Sequence, residues 1–317
     1  MKARAYAPAT IGNFAAGFDA LGMALAPLDG SLFGDVVEAE LAGRGRGGLS
    51  VRGPMARALP KNPRENLVWH SLDLFSRRLR RYGLEPAAVR LTLHKNLPAC
   101  SGLGSSASSI AAALTALNAV YCDPFSVETL LEIAGEAEGL TSGGAHWDNV
   151  APALLGGLQL LAPGECLTPL RLPFFDRAVV VIAQPRLELA TARSRAVLPR
   201  SLPLSLCVAA GSNLAALVHA LHARDRDLFA ECLRDLVAEP RRKKLVAGFE
   251  AVQAAALQAG ALGCSLSGSG PSLFAVADSR READRIAGAM TEAFRRSGVE
   301  ARAVLCRPDF EGARLLP

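Results

Sequence analysis

Residues 98–109 read Pro98-Ala99-Cys100-Ser101-Gly102-Leu103-Gly104-Ser105-Ser106-Ala107-Ser108-Ser109. The alternating run Val89-Arg90-Leu91-Thr92-Leu93-His94-Lys95 comes just before them and predicts a strand. Behind them Ile110 to Val120 is dominated by Ala and Leu, strong helix formers, and predicts a helix over 106–121. Glycine lets the backbone turn so that successive N–H groups converge, and a helix N-terminus adds partial positive charge. A strand, a Gly/Ser loop and a helix therefore meet at a site suited to phosphate.

Three readings of the loop compete. A Walker-type loop needs Lys directly after its last glycine, and here Ser105 follows Gly104. A dinucleotide fingerprint fits Gly102-Leu103-Gly104-Ser105-Ser106-Ala107 in outline, with Asp123 about twenty residues on. Asp123, however, sits in the turn sequence Cys122-Asp123-Pro124-Phe125-Ser126, and Pro98 to Ser101 separate the glycines from the strand. The plainest reading is a linker that caps a helix.

The rest of the chain separates these readings. Pro98-x-x-Ser101-Gly102-Leu103-Gly104-Ser105-Ser106-Ala107 resembles the second motif of the GHMP small-molecule kinases. Pro8-Ala9-Thr10-Ile11-Gly12-Asn13-Phe14-Ala15-Ala16-Gly17-Phe18-Asp19-Ala20-Leu21-Gly22 resembles their first motif, and Ser267-Gly268-Ser269-Gly270-Pro271-Ser272 their third, all in the expected order. Four further features resemble the homoserine kinase branch: Asn13 with Gly17-Phe18-Asp19, the stretch Ser142 to Pro152 containing His146-Trp147-Asp148-Asn149, Thr191 with Arg195, and Ala238-Glu239-Pro240-Arg241-Arg242. Ile11-Gly12 replaces a small pair before Asn13, and Cys100 stands where glycine is common. The resemblance runs nearly end to end. It implies an α+β, two-domain architecture, with an N-terminal domain like ribosomal protein S5 domain 2 over 1–155 and a ferredoxin-like domain over 156–317.

Composition agrees. A chain of 317 residues with 50% apolar content can bury one large core or two modest ones. No apolar run is expected to reach bilayer-spanning length, and the N-terminus has no signal-peptide h-region, so neither a membrane nor export is expected. Seven cysteines without a C-x-x-C pair predict reduced thiols in the cytoplasm and no structural zinc. The net charge of +5 falls in short clusters such as Arg77-Arg78 and Arg80-Arg81, with no interleaved aromatic residues. These read as solvated helix faces rather than a nucleic-acid platform.

Strand-like stretches run over 3–8, 35–41, 89–93, 178–183, 264–266, 273–276 and 301–305. Helix-like stretches run over 66–82, 106–121, 127–139, 214–222, 228–237, 245–259 and 282–297. Strands alternating with helix pairs suggest an α/β sandwich.

The resemblance also implies chemistry. ATP is the expected phosphoryl donor, cradled by residues 98–108, with Asn66 and Leu67 on the adenine side and Mg²⁺ held by Ser106 and Glu138. L-homoserine, a zwitterion with a terminal hydroxyl, is the expected acceptor. Its carboxylate suits the planar fork of Arg242, with Arg195 beside it. Asn13 and Asp19 fall to the ammonium side, and Gly17 and Gly22 would let their loop approach the ligand. His146, Asp148 and Asn149 are expected to bind and orient homoserine, with Asp148 as the candidate base and Thr191 supporting Arg195. The third motif is expected to pack beneath the first phosphate loop. A mevalonate- or sugar-type acceptor, or a non-catalytic nucleotide-binding relative, are the competing functions, and a homodimer is the expected assembly. Lys95 faces either nucleotide or solvent on sequence grounds.

Overall fold

The computed structural model describes residues 1–43, 45–60, 62–142, 146–163 and 168–317. Arg44, residues 143–145 of the His146 motif and Cys166 lie outside the described residues. In chain order the elements of the first half are β1 (Lys2–Pro8), β2 (Thr10–Gly12), β3 (Leu21–Pro27), β4 (Gly34–Leu41), β5 (Gly48–Arg52), α1 (Leu67–Arg81), β6 (Val89–His94), α2 (Ser105–Val120), α3 (Val127–Ser142) and α4 (Trp147–Leu155). Then come β7 (Leu158–Ala162), β8 (Thr168–Leu172), β9 (Val179–Pro185), α5 (Thr191–Ala196), α6 (Leu204–Ala223), α7 (Arg226–Cys232) and α8 (Glu239–Arg242). The last elements are α9 (Phe249–Gln258), β10 (Gly263–Leu266), β11 (Leu273–Ala277), α10 (Arg280–Arg296), β12 (Ala301–Pro308) and β13 (Arg314–Leu315). The α+β class expected from the sequence is what the chain adopts.

Two sheets organise these elements. The first has the order β13-β1-β4-β6-β5, antiparallel except for the parallel pair β5–β6. Its apolar residues alternate, so Ala5, Ala7, Val37, Ala39, Leu91 and Leu93 face a core shared with α1 to α4. The opposite face carries Lys2, Glu38, Glu40, Arg90 and His94 in exposed or half-exposed ion pairs. Helix α2 is buried on every side, and its many alanines let neighbouring elements approach closely.

The second sheet runs β10-β11-β9-β12-β3-β7-β8, with β2 also paired to β3. Both of its faces are covered, and β9 shows why its sequence is apolar throughout. Val179, Val181 and Ala183 pack with α9 and α10. Val180 and Ile182 pack on the other face with α6, α7 and the ring cluster of Phe14, Phe174 and Phe274. The sheets are not built from contiguous halves, since β3 lies among C-terminal strands and β13 pairs with β1.

One sequence expectation needs correction. Helix α6 has 20 residues and is long and apolar enough to cross a membrane by length and composition. Its C-terminal end packs into the second core through Leu217, Ala220 and Leu221, while Leu204 and Val208 near its start are exposed. The helix expected over 214–222 is the C-terminal part of this longer element. Of the basic cluster on α1, Arg77, Arg80 and Arg81 are exposed as a solvated face is, whereas Arg78 is largely covered and bridges α1 to Glu132 and Glu136 of α3. The six described cysteines are free thiols.

Candidate active site

The phosphate loop leads into α2 through Gly104, whose φ of 59° is left-handed. A Cβ there would meet Thr10 Oγ1 at 1.9 Å, so glycine is required by both conformation and space. No side chain caps α2, so its first-turn N–H groups are left for a ligand or water at the positive end of the macrodipole. The third motif braces this loop from below. Ser267 Oγ donates to Gly102 O at 2.6 Å, Ser272 N–H to Ser101 O at 3.2 Å, and Gly268 N–H to Gly12 O at 3.0 Å.

Beneath the helix start lies a buried ion pair that sequence reasoning missed. Lys95 Nζ donates to Asp35 Oδ2, to Ser105 O at 2.8 Å and to Ser109 Oγ at 2.9 Å. Asp35 Oδ1 in turn accepts from the N–H groups of Asn96 and Leu97. Lys95 is thus 2% exposed and ties β4 to the first turn of α2. The signal was the phase of Asp35, which alternation puts on the same face of β4 as the core residues Val37 and Ala39, unlike Glu38 and Glu40.

The loop forms one wall of a cleft of about 430 Å³. Ala99 to Gly102, Gly104, Ser105 and Ser106 line it, as does Lys95 at its base. Pro98, Leu103, Ala107 and Ser108 do not. Leu103 and Ala107 point into the cores, and Ser108 Oγ bridges Ala7 O and Asp35 N–H. Pro98 lies behind the loop, at a second hollow formed with α10 and the ends of β9 and β12. Cys100 holds a left-handed φ of 54°, and burial and then the Glu188 charge push its thiol above the usual range.

Across the helix start, Ser106 Oγ donates to Glu138 Oε1 at 2.8 Å. His146 Nδ1 lies 3.4 Å from the same Oε1, and Arg195 Nε donates to His146 Nε2 at 2.9 Å. Arg195 also reaches both carboxylate oxygens of Asp19, at 2.8 and 2.9 Å. A continuous polar chain therefore connects α2, α3, α4 and α5 to the first-motif loop. Thr191, four residues before Arg195 on α5, lines the same wall, its Oγ1 3.5 Å from Ser269 Oγ.

The first-motif loop is held open by left-handed residues at Asn13, Phe14, Ala15 and Asp19. Asn13 N–H donates to Asp148 Oδ2 at 2.8 Å, Asn13 Nδ2 to Gly268 O, and Asp19 N–H to Asn13 Oδ1. Asn149 Nδ2 donates to Asp148 Oδ1, and Asn149 Oδ1 accepts from Thr10 Oγ1. The two glycines of this motif serve packing, not ligand approach: a Cβ on Gly22 would strike Asp148 O at 1.6 Å, and one on Gly17 would strike Leu21 Cβ. Burial, reinforced by the nearby Asp19 charge, pushes the Asp148 carboxyl up to about 6; His146, the Asn13 N–H and Arg195 pull the other way.

Arg242 is 3% exposed and donates to Gly268 O at 3.1 Å and Ser194 O at 3.3 Å. Among the described residues no carboxylate pairs with it directly; its hydrogen bonds go to carbonyls, and its guanidinium lies over the Phe18 ring. Burial holds its pKa below the usual range, while Asp235 and Asp19 draw it upward. Asp235 presents Arg242 by accepting the N–H groups of Val237, Ala238 and Glu239 at the start of α8. Asn66 lines the far end of the cleft, where its side chain caps α1 by accepting from Val68 N–H at 2.9 Å. Leu67 follows it on the same wall.

Comparison with known proteins settles the family. The GHMP kinase N-terminal domain model matches residues 66–157, and the GHMP kinase C-terminal model matches 217–296. The crystal structure of homoserine kinase from Cytophaga hutchinsonii is 35% identical, with a TM-score of 0.92, covering 99% of this chain and 97% of that one. The chain belongs to the homoserine kinases of the GHMP family. Within the wider family the fold alone is shared with two more distant structures. Mevalonate kinase from L. major, in complex with R-mevalonate, is 17% identical (97% and 96% coverage, TM-score 0.69). Galactokinase from Lactococcus lactis, complexed with galactose, is 15% identical (99% and 95% coverage, TM-score 0.71).

Proposed function

We infer that the protein transfers the γ-phosphoryl group of ATP to the terminal hydroxyl of L-homoserine, giving O-phospho-L-homoserine. The observation that carries this reading is that one cleft pairs an uncapped helix N-terminus with the guanidiniums of Arg195 and Arg242 and, beside them, the carboxylates of Asp19 and Asp148. The first suits a polyphosphate and the second a zwitterion. In this reading Arg242 anchors the carboxylate and Asp19 and Asn13 take the ammonium. Ala99 to Ser106 hold the phosphates, and Asn66 and Leu67 lie on the adenine side.

Ser106 and Glu138 fit Mg²⁺ by donor chemistry, since a hydroxyl and a carboxylate oxygen already converge there at 2.8 Å. Mg²⁺ favours hard oxygens and takes only one or two carboxylates beside substrate phosphates and water. When bound it neutralises charge on the transferring phosphate. The protein's own share is orientation: His146, Asp148 and Asn149 fix the acceptor hydroxyl, Thr191 supports Arg195, and Asp148, ionised above about pH 6, can accept its proton.

We also take residues 1–155 and 156–317 as the two domains, with β3 and β13 each exchanged into the other's sheet, a cytoplasmic location for the enzyme, and a homodimer, for which the exposed apolar start of α6 offers a face. The test of the activity is ADP release with Mg·ATP against L-homoserine, mevalonate, galactose and L-serine. Turnover with L-homoserine alone is expected, and turnover with another alcohol in its place overturns the acceptor assignment.

A further inference from the structure

Phe18 is an aromatic residue in the middle of a polar site, between Gly17 and Asp19, and it is only half-buried. Its neighbour Phe14 goes into the second core, stacked on Phe274 at 5.1 Å, so the loop has already supplied one ring to the interior. Nothing in core packing accounts for the second. What the ring of Phe18 meets is charge. The guanidinium carbon of Arg242 lies 5.4 Å from its centroid and that of Arg195 lies 6.0 Å away.

Two guanidiniums on one ring is an unusual demand. Like charges repel, and among the described residues no carboxylate is hydrogen-bonded to both arginines: Asp19 pairs with Arg195 and acts on Arg242 only through space, while the hydrogen bonds of Arg242 go to the carbonyls of Gly268 and Ser194. An aromatic face attracts both cations through its quadrupole and fixes the plane against which each fork lies. Aliphatic side chains of the same size fill the space without that attraction. The ring's own position is set by the backbone, because Gly17 N–H donates to Asn13 O, and Ala20 and Leu21 N–H donate to Gly17 O.

We propose that Phe18 is a positioning residue that sets the spacing and attitude of Arg195 and Arg242, so that the Arg242 fork stays aimed at the acceptor's carboxylate. This rests on the homoserine reading above. It deepens that reading by naming a determinant of acceptor recognition outside the polar residues that touch the acceptor.

The test is steady-state kinetics of Phe18→Leu, Phe18→Met and Phe18→Tyr beside the wild type, each first checked for an unchanged melting temperature. The Leu and Met variants raise the KM for L-homoserine about tenfold, the size expected from losing one or two partly desolvated cation–π contacts. Their KM for ATP stays within about twofold, and Phe18→Tyr, which keeps the ring, stays near wild type. With 3-amino-1-propanol, which lacks the carboxylate, the difference between wild type and Phe18→Met shrinks, since the Arg242 contact is missing in both. An unchanged homoserine KM in a folded Leu or Met variant overturns the proposal. So does a loss that Tyr fails to restore, or a matching rise in the KM for ATP. If Phe18→Leu does not fold, Phe18→Met carries the same test at nearly constant volume. A wild-type protein inert toward L-homoserine removes the underlying reading instead, and the proposal falls with it.

Discussion

Arg195 Nε donates to His146 Nε2, and this one bond fixes the imidazole. An Nε–H has no lone pair to offer, so His146 Nε2 must be the acceptor and the ring proton must sit on Nδ1, toward Glu138 Oε1. The guanidinium that grips Asp19 is thereby coupled to the carboxylate that accepts from Ser106. Arg195→Lys cannot reproduce this, because an ammonium is a point donor without the fork. Its kcat should fall about a hundredfold or more, read from ADP release at saturating substrates, with the melting temperature little changed.

Asp148 gives a pH prediction with a defined sign. Its folded-state carboxyl titrates near 6, above its ordinary value of 3.8. A carboxyl raised on folding favours the folded state most when protonated, so its contribution weakens as pH rises from about 4 to 6 and is flat above. Asp148→Asn should therefore be more stable than wild type at pH 8, by up to about 3 kcal/mol, and gain nothing at pH 4. Urea unfolding at the two pH values checks this. Loss of activity in the same variant mainly through a higher homoserine KM supports orientation, while a kcat collapse at saturating acceptor makes Asp148 the base. In the wild type, kcat/KM should fall as pH drops through about 6.

Ser106 and Glu138 are tested through magnesium. Ser106→Ala removes one hard oxygen and should shift the Mg²⁺ concentration for half-maximal activity upward by about tenfold at fixed ATP. Homoserine KM should hardly move. A variant with unchanged Mg²⁺ demand removes Ser106 from the metal's coordination.

Gly104→Ala places a methyl group 1.9 Å from Thr10 Oγ1 at a left-handed φ. We expect about 2 kcal/mol of lost stability and a KM for ATP raised about tenfold, measured by thermal melting and initial rates.

Lys95→Met leaves Asp35 as an unpaired buried charge, which costs about 3–5 kcal/mol. The double variant Lys95→Met with Asp35→Asn should recover much of that loss in chemical denaturation, since no net charge stays behind. Equal losses in both would mean that the bond from Lys95 to Ser105 O matters more than the ion pair.

What the sequence disclosed, and what it hid, follows the range of the interactions. The loop at 98–106 and α2 were legible because glycine, serine and alanine act within a few residues of themselves. The half-buried strand β6 showed its alternation. β3 did not, because it is buried on both faces and its apolar run carries no period of two. α4 escaped because His146-Trp147-Asp148-Asn149 reads as a polar cluster and Pro152 lies inside the helix. Asn66 caps α1 with its own side chain, a role that the other polar residues before the helix, Asn62, Arg64 and Glu65, obscured. The meeting of Phe18 with Arg195 and Arg242 joins residues far apart in the chain and leaves no mark on local composition.

The bonds from residues 267–272 to Gly102, Ser101 and Gly12 give the site a birth order. A ribosome that has made the first half of this chain has made the whole glycine loop and the helix behind it, but not the floor on which they rest. The cradle is complete only when residues 267–272 have emerged and bonded to Gly102, Ser101 and Gly12. Until then the growing polypeptide carries the letters of the site without its floor.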